Sequence, residues 1–248
     1  MPSQPIEPRR LYRQIADQLR SLVQAGEYPA GTRLPPERDL ATQLGVSRPT
    51  VREAVIALEV EGLVEVRMGS GIYVMANAPA VVGDQVAPVA VADGPLEIIR
   101  ARQVVERELA ALVARSPRRA AVVLGLRDAI AQMEADLARG VMPIGGDRQF
   151  HLCIAEGCDN AALLRVVTDL YDERANPLFE RLGSLFEDVS SWRKAVAEHR
   201  AVADALAEGD ATHARSAMHV HLELTHERFT AAWTGEPETR RRPEGQPA

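Results

Sequence analysis

The chain has 248 residues, of which 46% are hydrophobic and 26% charged, with aromatics at only 4%. That length allows one or two domains with a sizeable core, built mostly from Ala, Val and Leu. The net charge of −6 excludes a binder that works by bulk positive charge. No apolar run nears the ~18 residues of a membrane span, and the N-terminus lacks the apolar stretch of a secretory signal. A cytoplasmic location with no membrane partner is the expectation.

Leu11, Ile15, Leu19, Leu22 and Val23 form a helical stripe that Gly26 stops. Pro29-Ala30-Gly31 turns the chain, and Thr32 to Leu34 reads as a short strand. Pro36 opens a second helix in its first turn, where a missing N–H costs little. After a turn at Gly45-Val46, Ser47 is a good N-cap for a longer helix, with Pro49 in its first turn and Gly62 at its end. Leu40, Leu44, Val46, Val51, Val55 and Leu58 can close a small core between these two helices. Leu63–Val66 and Ile72–Val74 alternate as strands, and glycines in Arg67-Met68-Gly69-Ser70-Gly71 let the ribbon's tip approach a phosphate backbone. Helix, turn, helix and ribbon make a winged helix-turn-helix, whose second helix enters the major groove of double-stranded DNA. Residues 1–75 carry nine Arg and nine acidic residues, so this reader is neutral and the remainder carries the −6. Arg48, Arg52 and Arg67 supply a local basic edge.

The boundaries that follow are 1–75 for the DNA-binding domain, 76–94 for a linker, 95–234 for an all-helical domain and 235–248 for a disordered tail. The linker sequence is broken by Pro and Gly and has no helical stripe. Beyond it every periodic segment is helical, near 95–116, 119–139, 147–157, 160–175, 191–208 and 211–233, with a short segment 178–186 after Pro177. Gly125 marks a weak point. The fold class is mainly α: a winged helix-turn-helix followed by an all-α bundle.

Three of these helices carry ionisable groups on apolar stripes. Asp147, His151, Ile154 and Cys158 share one track; His199 lies among Ala195, Val196, Val202 and Leu206; His221 follows Ala214 and Met218. Buried polar groups without partners cost roughly 2–7 kcal/mol. Three imidazoles and one carboxylate can satisfy one another around a metal; the alternative for each is a hydrogen-bonded core residue. His219, Glu223, His226 and Thr230 share a polar face and read as solvent-facing, and a single Glu-x-x-His is too little for a di-metal carboxylate bundle. Cys153 and Cys158 in CIAEGC lack a zinc-knuckle spacing and read as packing residues.

The stretch PGTRLPPERDLATQLGVSRPTVREAVIALEVEGLVEVRMGSGIYV, from Pro29 to Val74, resembles the N-terminal domain of GntR-type bacterial transcription regulators almost throughout. The resemblance implies that Arg38, Arg48, Thr50 and Arg52 contact operator DNA, with Ser47 near the backbone and Gly69 at the wing tip. The residue types suit the task, since Arg can bridge guanine O6 and N7 while Ser and Thr serve phosphates or base edges. Asp147-Arg-Gln-Phe-His151, Glu198-His199 and His221 in the last helix are similar to the pattern of the FCD ligand-binding domain of the FadR subfamily. That likeness implies a divalent ion on Asp147, His151, His199 and His221, with Zn²⁺ or Ni²⁺ suited to the donors and Mn²⁺ to a higher coordination number. It also makes Arg102 the grip for an effector carboxylate, the alternative being an exposed i, i+4 pair with Glu106. Asn160 in GCDNAALL reads first as a helix N-cap and second as an effector-site residue.

IIRARQVVERELAAL and RANPLFERL are similar to regulators answering to hexuronates or related sugar acids. The expected protein is therefore no enzyme but a ligand-responsive regulator, with repression as the expected mode. As a homodimer it presents two reading helices to a pseudo-palindrome, and a small carboxylate modulates it. The alternatives are a metal-dependent enzyme with a DNA-binding head, which lacks an obvious general base beside the metal track, and a pure metal sensor.

Overall fold

The computed structural model describes residues 10–67, 69–76 and 93–231. The chain divides into two compact units, the first holding the described residues up to Ala76 and the second those from Asp93 to Thr230. Most of the expected linker, the end of the last expected helix and the whole expected tail lie outside the described residues, as does Met68 in the wing. Among the described residues no helix is long and apolar enough to cross a membrane.

In the first unit α1 (Leu11–Gln24) and α2 (Glu37–Leu44) pack on α3 (Arg48–Val60). Buried Tyr12, Ile15, Ala16 and Leu19 meet a fully buried run, Val51 to Leu58. The buried stripe of α1 therefore runs through Tyr12 and Ala16, and Leu11 is exposed. Leu44 and Val46, expected in the core, are only half-buried beside the turn. That turn is made by Gly45 at φ 67°, a left-handed conformation that residues with a β-carbon rarely adopt. Ser47 then caps α3, accepting from the Thr50 backbone N–H at 3.3 Å. Arg20 of α1 pairs with Glu61 at the end of α3 at 2.8 Å.

The wing is an antiparallel pair, β1 (Val64–Arg67) and β2 (Gly71–Val74), with Val64 opposite Val74 and Arg67 opposite Gly71. The segment expected as a strand over Thr32–Leu34 lies along the free edge of β2. Val74 N–H donates to the Thr32 carbonyl at 2.9 Å and Leu34 N–H to the Ile72 carbonyl at 2.9 Å. The wing is thereby tied to the chain that precedes α2.

The second unit is helical throughout: α4 (Pro95–Ala114), α5 (Arg119–Ala138), α6 (Ile144–Gly157), α7 (Ala161–Asp172), α8 (Pro177–Phe186), α9 (Val189–Glu208) and α10 (Ala211–Ala231). α5 packs on α6 and α9, and α4 on α6, α7 and α9, around an aliphatic core that includes Leu109, Leu126, Met133, Ile154, Leu206 and Met218. The helix expected over 160–175 ends at Asp172 and tightens into a 3₁₀ turn, Glu173–Ala175, before Asn176 caps α8 and Pro177 opens it.

Gly125 does not weaken α5, which runs unbroken past it. A β-carbon there would stand 2.8 Å from Cys153 Sγ, so the glycine makes room for α6. α6 itself begins at Ile144, three residues before the expected start, and Gly146 in its first turn lies against α5. A β-carbon on Gly146 would meet Met133 Cγ at 2.7 Å and the Ala129 carbonyl oxygen at 3.0 Å. Gly146→Ala is expected to destabilise this unit by about 1–3 kcal/mol through overpacking, read as a lowered urea midpoint. An unchanged midpoint would mean that α5 and α6 part without cost.

Candidate metal centre and nucleic-acid interface

The bundle brings Asp147 and His151 of α6 together with His199 of α9 and His221 of α10. All four are buried, and one ligand atom from each lies within 4.8 Å of the others. Asp147 and His151 sit four residues apart on the inward face of one helix, so both reach the same point. His199 Nε2 stands 3.1 Å from Asp147 Oδ1, and His151 Nε2 stands 3.7 Å from the same oxygen.

Each imidazole is oriented from behind. His151 Nδ1 bonds to the Glu106 carboxylate, His199 Nδ1 donates to the Ala195 carbonyl at 2.7 Å, and His221 Nδ1 donates to Glu198 at 3.0 Å. These partners only accept, so Nδ1 carries the hydrogen in each neutral ring and the Nε2 lone pair faces Asp147. Asp147 Oδ2 is held by the Tyr171 hydroxyl, with Arg174 Nη1 3.5 Å away. A ring-nitrogen lone pair facing a carboxylate oxygen is repulsive unless a cation lies between them. His199 Nε2 in particular is buried with no aligned hydrogen bond among the described residues. One divalent ion satisfies the three nitrogens and the oxygen together, so the donor set fits a metal.

The electrostatics prepare the ligands for that role. Burial, together with neighbouring His199, brings His221 down to about 3. Burial also lowers His151, against the pull of Glu106. Both rings are therefore neutral at pH 7, the form that ligates. Burial raises the Glu106 carboxyl, but Arg102 and His151 outweigh it and hold it near 2. Burial raises the Asp147 carboxyl, but its surroundings, with the Arg174 cation among them, outweigh it and hold it well below the usual carboxylate range.

Arg102 is not the exposed partner of Glu106 that the alternative required. It is 1% exposed, its Nε lies 2.6 Å from Glu106 Oε1, and its Nη2 has no partner among the described residues. Glu106 thus spends one oxygen on Arg102 and the other on His151, joining the guanidinium to the histidine cluster. Arg102, Asp147, His151, Arg174 and His221 line one narrow cavity of about 20 Å³. Arg174 and Glu187, 3.2 Å apart, also line a wider groove of about 590 Å³ bounded by Ile144, Tyr171 and Phe179. Asn160 does not line either space. Its side chain accepts from the Ala162 and Leu163 N–H groups at 3.0 and 3.2 Å at the exposed start of α7, which makes it a helix cap. His226, expected to face solvent, is half-buried and its Nε2 is enclosed.

Sequence reading missed Tyr171 and Arg174 and treated Glu198 only as part of a pattern. Arg102 and Glu106 at i, i+4 on an otherwise apolar helix face was the available signal for a buried pair. Tyr171 carried none, because its partner is 24 residues away on another helix.

In the winged unit the expected DNA-reading residues separate into two groups. Arg48, Ser47 and Gly69 are exposed, Thr50 is half-buried at the start of α3, and Arg38 is exposed with its Nε 3.1 Å from Asp39. Ser47 and Thr50 hydroxyls are 2.7 Å apart. Arg52 instead is 1% exposed and forks onto Glu37, Nε to Oε1 at 3.2 Å and Nη2 to Oε2 at 3.1 Å. That placement sets Arg52 apart from the exposed group, since its guanidinium ties α3 to α2 through Glu37.

A winged helix-turn-helix followed by a helical domain with a buried His₃Asp cluster that could hold a metal points to a DNA-binding transcription regulator. The profile of the bacterial regulatory proteins of the gntR family matches residues 11–74, and that of the FCD domain matches residues 97–224. The chain belongs to the GntR family of bacterial transcription regulators, with an FCD domain as its C-terminal half. It is similar to the Uxu operon transcriptional regulator of Escherichia coli K12, 37% identical over 89% of this chain and 87% of that protein. The Exu regulon transcriptional regulator of the same strain is 37% identical over 88% of this chain and 84% of its own length. A Uxu operon regulator of Haemophilus influenzae is 32% identical, covering 86% of this chain and 80% of that protein. The matched families and relatives are transcription regulators, not enzymes.

Two outcomes are expected from this geometry. Arg52→Ala leaves Glu37 charged and enclosed, so the winged unit should lose about 3–5 kcal/mol in denaturant titration; weakened DNA binding with full stability would instead restore a surface role. For the metal-free protein, histidines lowered in the folded state give stability that is complete above the unfolded imidazole value of about 6.5. It is lost as pH falls toward the His221 value of about 3. The thermal midpoint of the metal-free form should therefore drop from pH 7 to pH 5, and a midpoint that rises on acidification contradicts the assigned tautomers.

Proposed function

We propose that this regulator is a homodimeric repressor whose operator binding is modulated by a small carboxylate, a sugar acid or another hydroxy acid, seated beside a metal in the FCD domain. The observation that carries the reading is the shared cavity. Arg102, whose buried Nη2 has no partner among the described residues, lines one cavity with Asp147, His151 and His221, and His199 completes the cluster with a ligand atom within 4.8 Å of theirs. Zn²⁺ or Ni²⁺ suits one carboxylate oxygen and three imidazole nitrogens, and Mn²⁺ suits the same set with added oxygen ligands. When bound, the ion supplies a Lewis-acidic centre for a carboxylate oxygen. Arg102 then holds the second oxygen, with its geometry set by Glu106.

The relatives named for the Uxu operon and Exu regulon support a sugar acid as the effector class. A cavity of about 20 Å³ has room for little more than one water, so seating such an acid widens it. The Arg174–Glu187 pair between the cavity and the wider groove is the contact to be displaced. Affinity that differs between the narrow and widened states is what lets the acid bias DNA binding. On the DNA side we assign Arg38, Ser47, Arg48, Thr50 and Gly69 to the operator-facing surface, with Arg52 holding α3 in place behind it. The domain division proposed is 1–75 for DNA binding and 95–234 for the effector, with two copies paired so that both α3 helices address one pseudo-palindrome.

The test is elemental analysis of the purified full-length protein, followed by thermal shift with D-glucuronate and operator gel shift with and without it. A stoichiometric divalent metal, a raised midpoint and released operator are expected. His199→Ala should lower metal content and abolish the response to the acid while operator binding persists; wild-type metal stoichiometry in that variant would refute the ligand set. Arg48→Ala should weaken specific operator binding by about 1–3 kcal/mol with no change in unfolding midpoint, and undiminished binding would remove Arg48 from the reading surface.

A further inference from the structure

Trp192 stands in the first turn of α9, is 4% exposed and lines the same cavity as the metal cluster. Its indole Nε1 is buried without a hydrogen-bond partner among the described residues. An indole can only donate, and leaving its N–H without an acceptor is unfavourable in a way that a Phe at this position would avoid. Oxygens beside the metal cluster have other partners. Asp147 faces Tyr171 and the histidines, and Glu187 accepts from Arg174. The Ser191 hydroxyl is spent within the cap of α9, accepting from the Asp188 N–H at 2.8 Å and donating to the Asp188 carbonyl. The two enclosed donors on this wall, Arg102 Nη2 and Trp192 Nε1, differ in kind. The guanidinium suits a charged oxygen, and the neutral indole suits an uncharged one.

We propose that Trp192 is a specificity-determining residue, donating its indole N–H to a hydroxyl, ring or carbonyl oxygen of the effector. The inference rests on the reading that a carboxylate binds at Arg102 and the metal, and it adds a requirement beyond the carboxylate. A bare acid fills the charged positions and leaves the indole unpaired, whereas a polyhydroxylated acid satisfies both. Selection of this kind is effective because a site built to bond a hydroxyl rejects the analogue that lacks it.

The experiment compares D-glucuronate with acetate on metal-loaded, full-length protein, wild type against Trp192→Phe, by calorimetry. The variant keeps an aromatic ring and removes the N–H. D-glucuronate should bind about 3- to 10-fold more weakly to the variant, with metal content and acetate affinity unchanged. Equal weakening for both acids marks a packing role and overturns the proposal. Unchanged D-glucuronate affinity also overturns it, while leaving the carboxylate reading in place. A wild-type protein that binds neither acid, or prefers acetate, overturns it too, and binding of neither removes the carboxylate reading as well. A variant that does not fold shifts the decision to the wild-type indole N–H resonance, assigned with Trp233→Phe. That signal should move downfield with D-glucuronate and not with acetate, and a stationary signal sinks the proposal.

Discussion

The helical domain depends on how it keeps charge inside an aliphatic bundle. Glu106, Arg102, Asp147, His151, His199 and His221 are all buried, and none is tolerable there alone. Glu106 is the hinge of the solution, because its two oxygens serve Arg102 and His151 at once. Asp147 plays the matching part, with one oxygen held by Tyr171 and the other turned to the histidines. Remove these two carboxylates and Arg102 and His151 lose the partner that orients them, while the cluster as a whole loses its compensating charge. The rest of the bundle, with Gly125 and Gly146 allowing α6 to lie close to α5, holds those carboxylates where they are needed.

The same economy appears in the winged unit. Its net charge offers no bulk attraction to DNA, so presentation of a few side chains must carry recognition. The Arg52–Glu37 fork fixes α3 against α2, Gly45 sets the turn between them, and Ser47 caps the reading helix. Arg48 and Arg38 are left at the surface by that arrangement. A buried ion pair of this kind adds little net stability over an apolar pair but strongly disfavours alternative packings that would strand either charge. Positioning, in this unit, is what the inward arginine contributes.

On the proposed reading, coupling between the two halves follows from differential affinity. The cavity is too small for a sugar acid and is separated from a wider groove by Arg174 and Glu187, so the proposed seating of the acid requires a widened form. The acid need favour only one of them by a few kcal/mol to alter operator occupancy. On the proposed reading the origin of regulation lies in contacts made by Arg102, Trp192 and the histidine cluster, within one domain.

Much of this architecture was legible before any coordinates. Caps and breakers such as Ser47, Pro49, Gly62 and Pro177, and 3.6-residue periodicity, act over a few residues, and they determined the order and nature of the helices and the wing. The same periodicity drew attention to Asp147, His151, His199 and His221, since ionisable groups on apolar stripes demand partners, and the fold brings those four together. What tertiary structure alone decided is which way an ambiguous side chain turns and what stands behind it. Arg52 reads like Arg48 in the sequence, yet it points inward because Glu37, 15 residues earlier, lies across the helix pair. Asn160 reads first as a cap and second as a site residue, and at the exposed start of α7 it caps the helix. Tyr171, Glu198 and Trp192 gain their roles from partners and cavities on other helices. Local signals specify elements, whereas the orientation of a buried polar group depends on long-range neighbours that only the packed chain supplies.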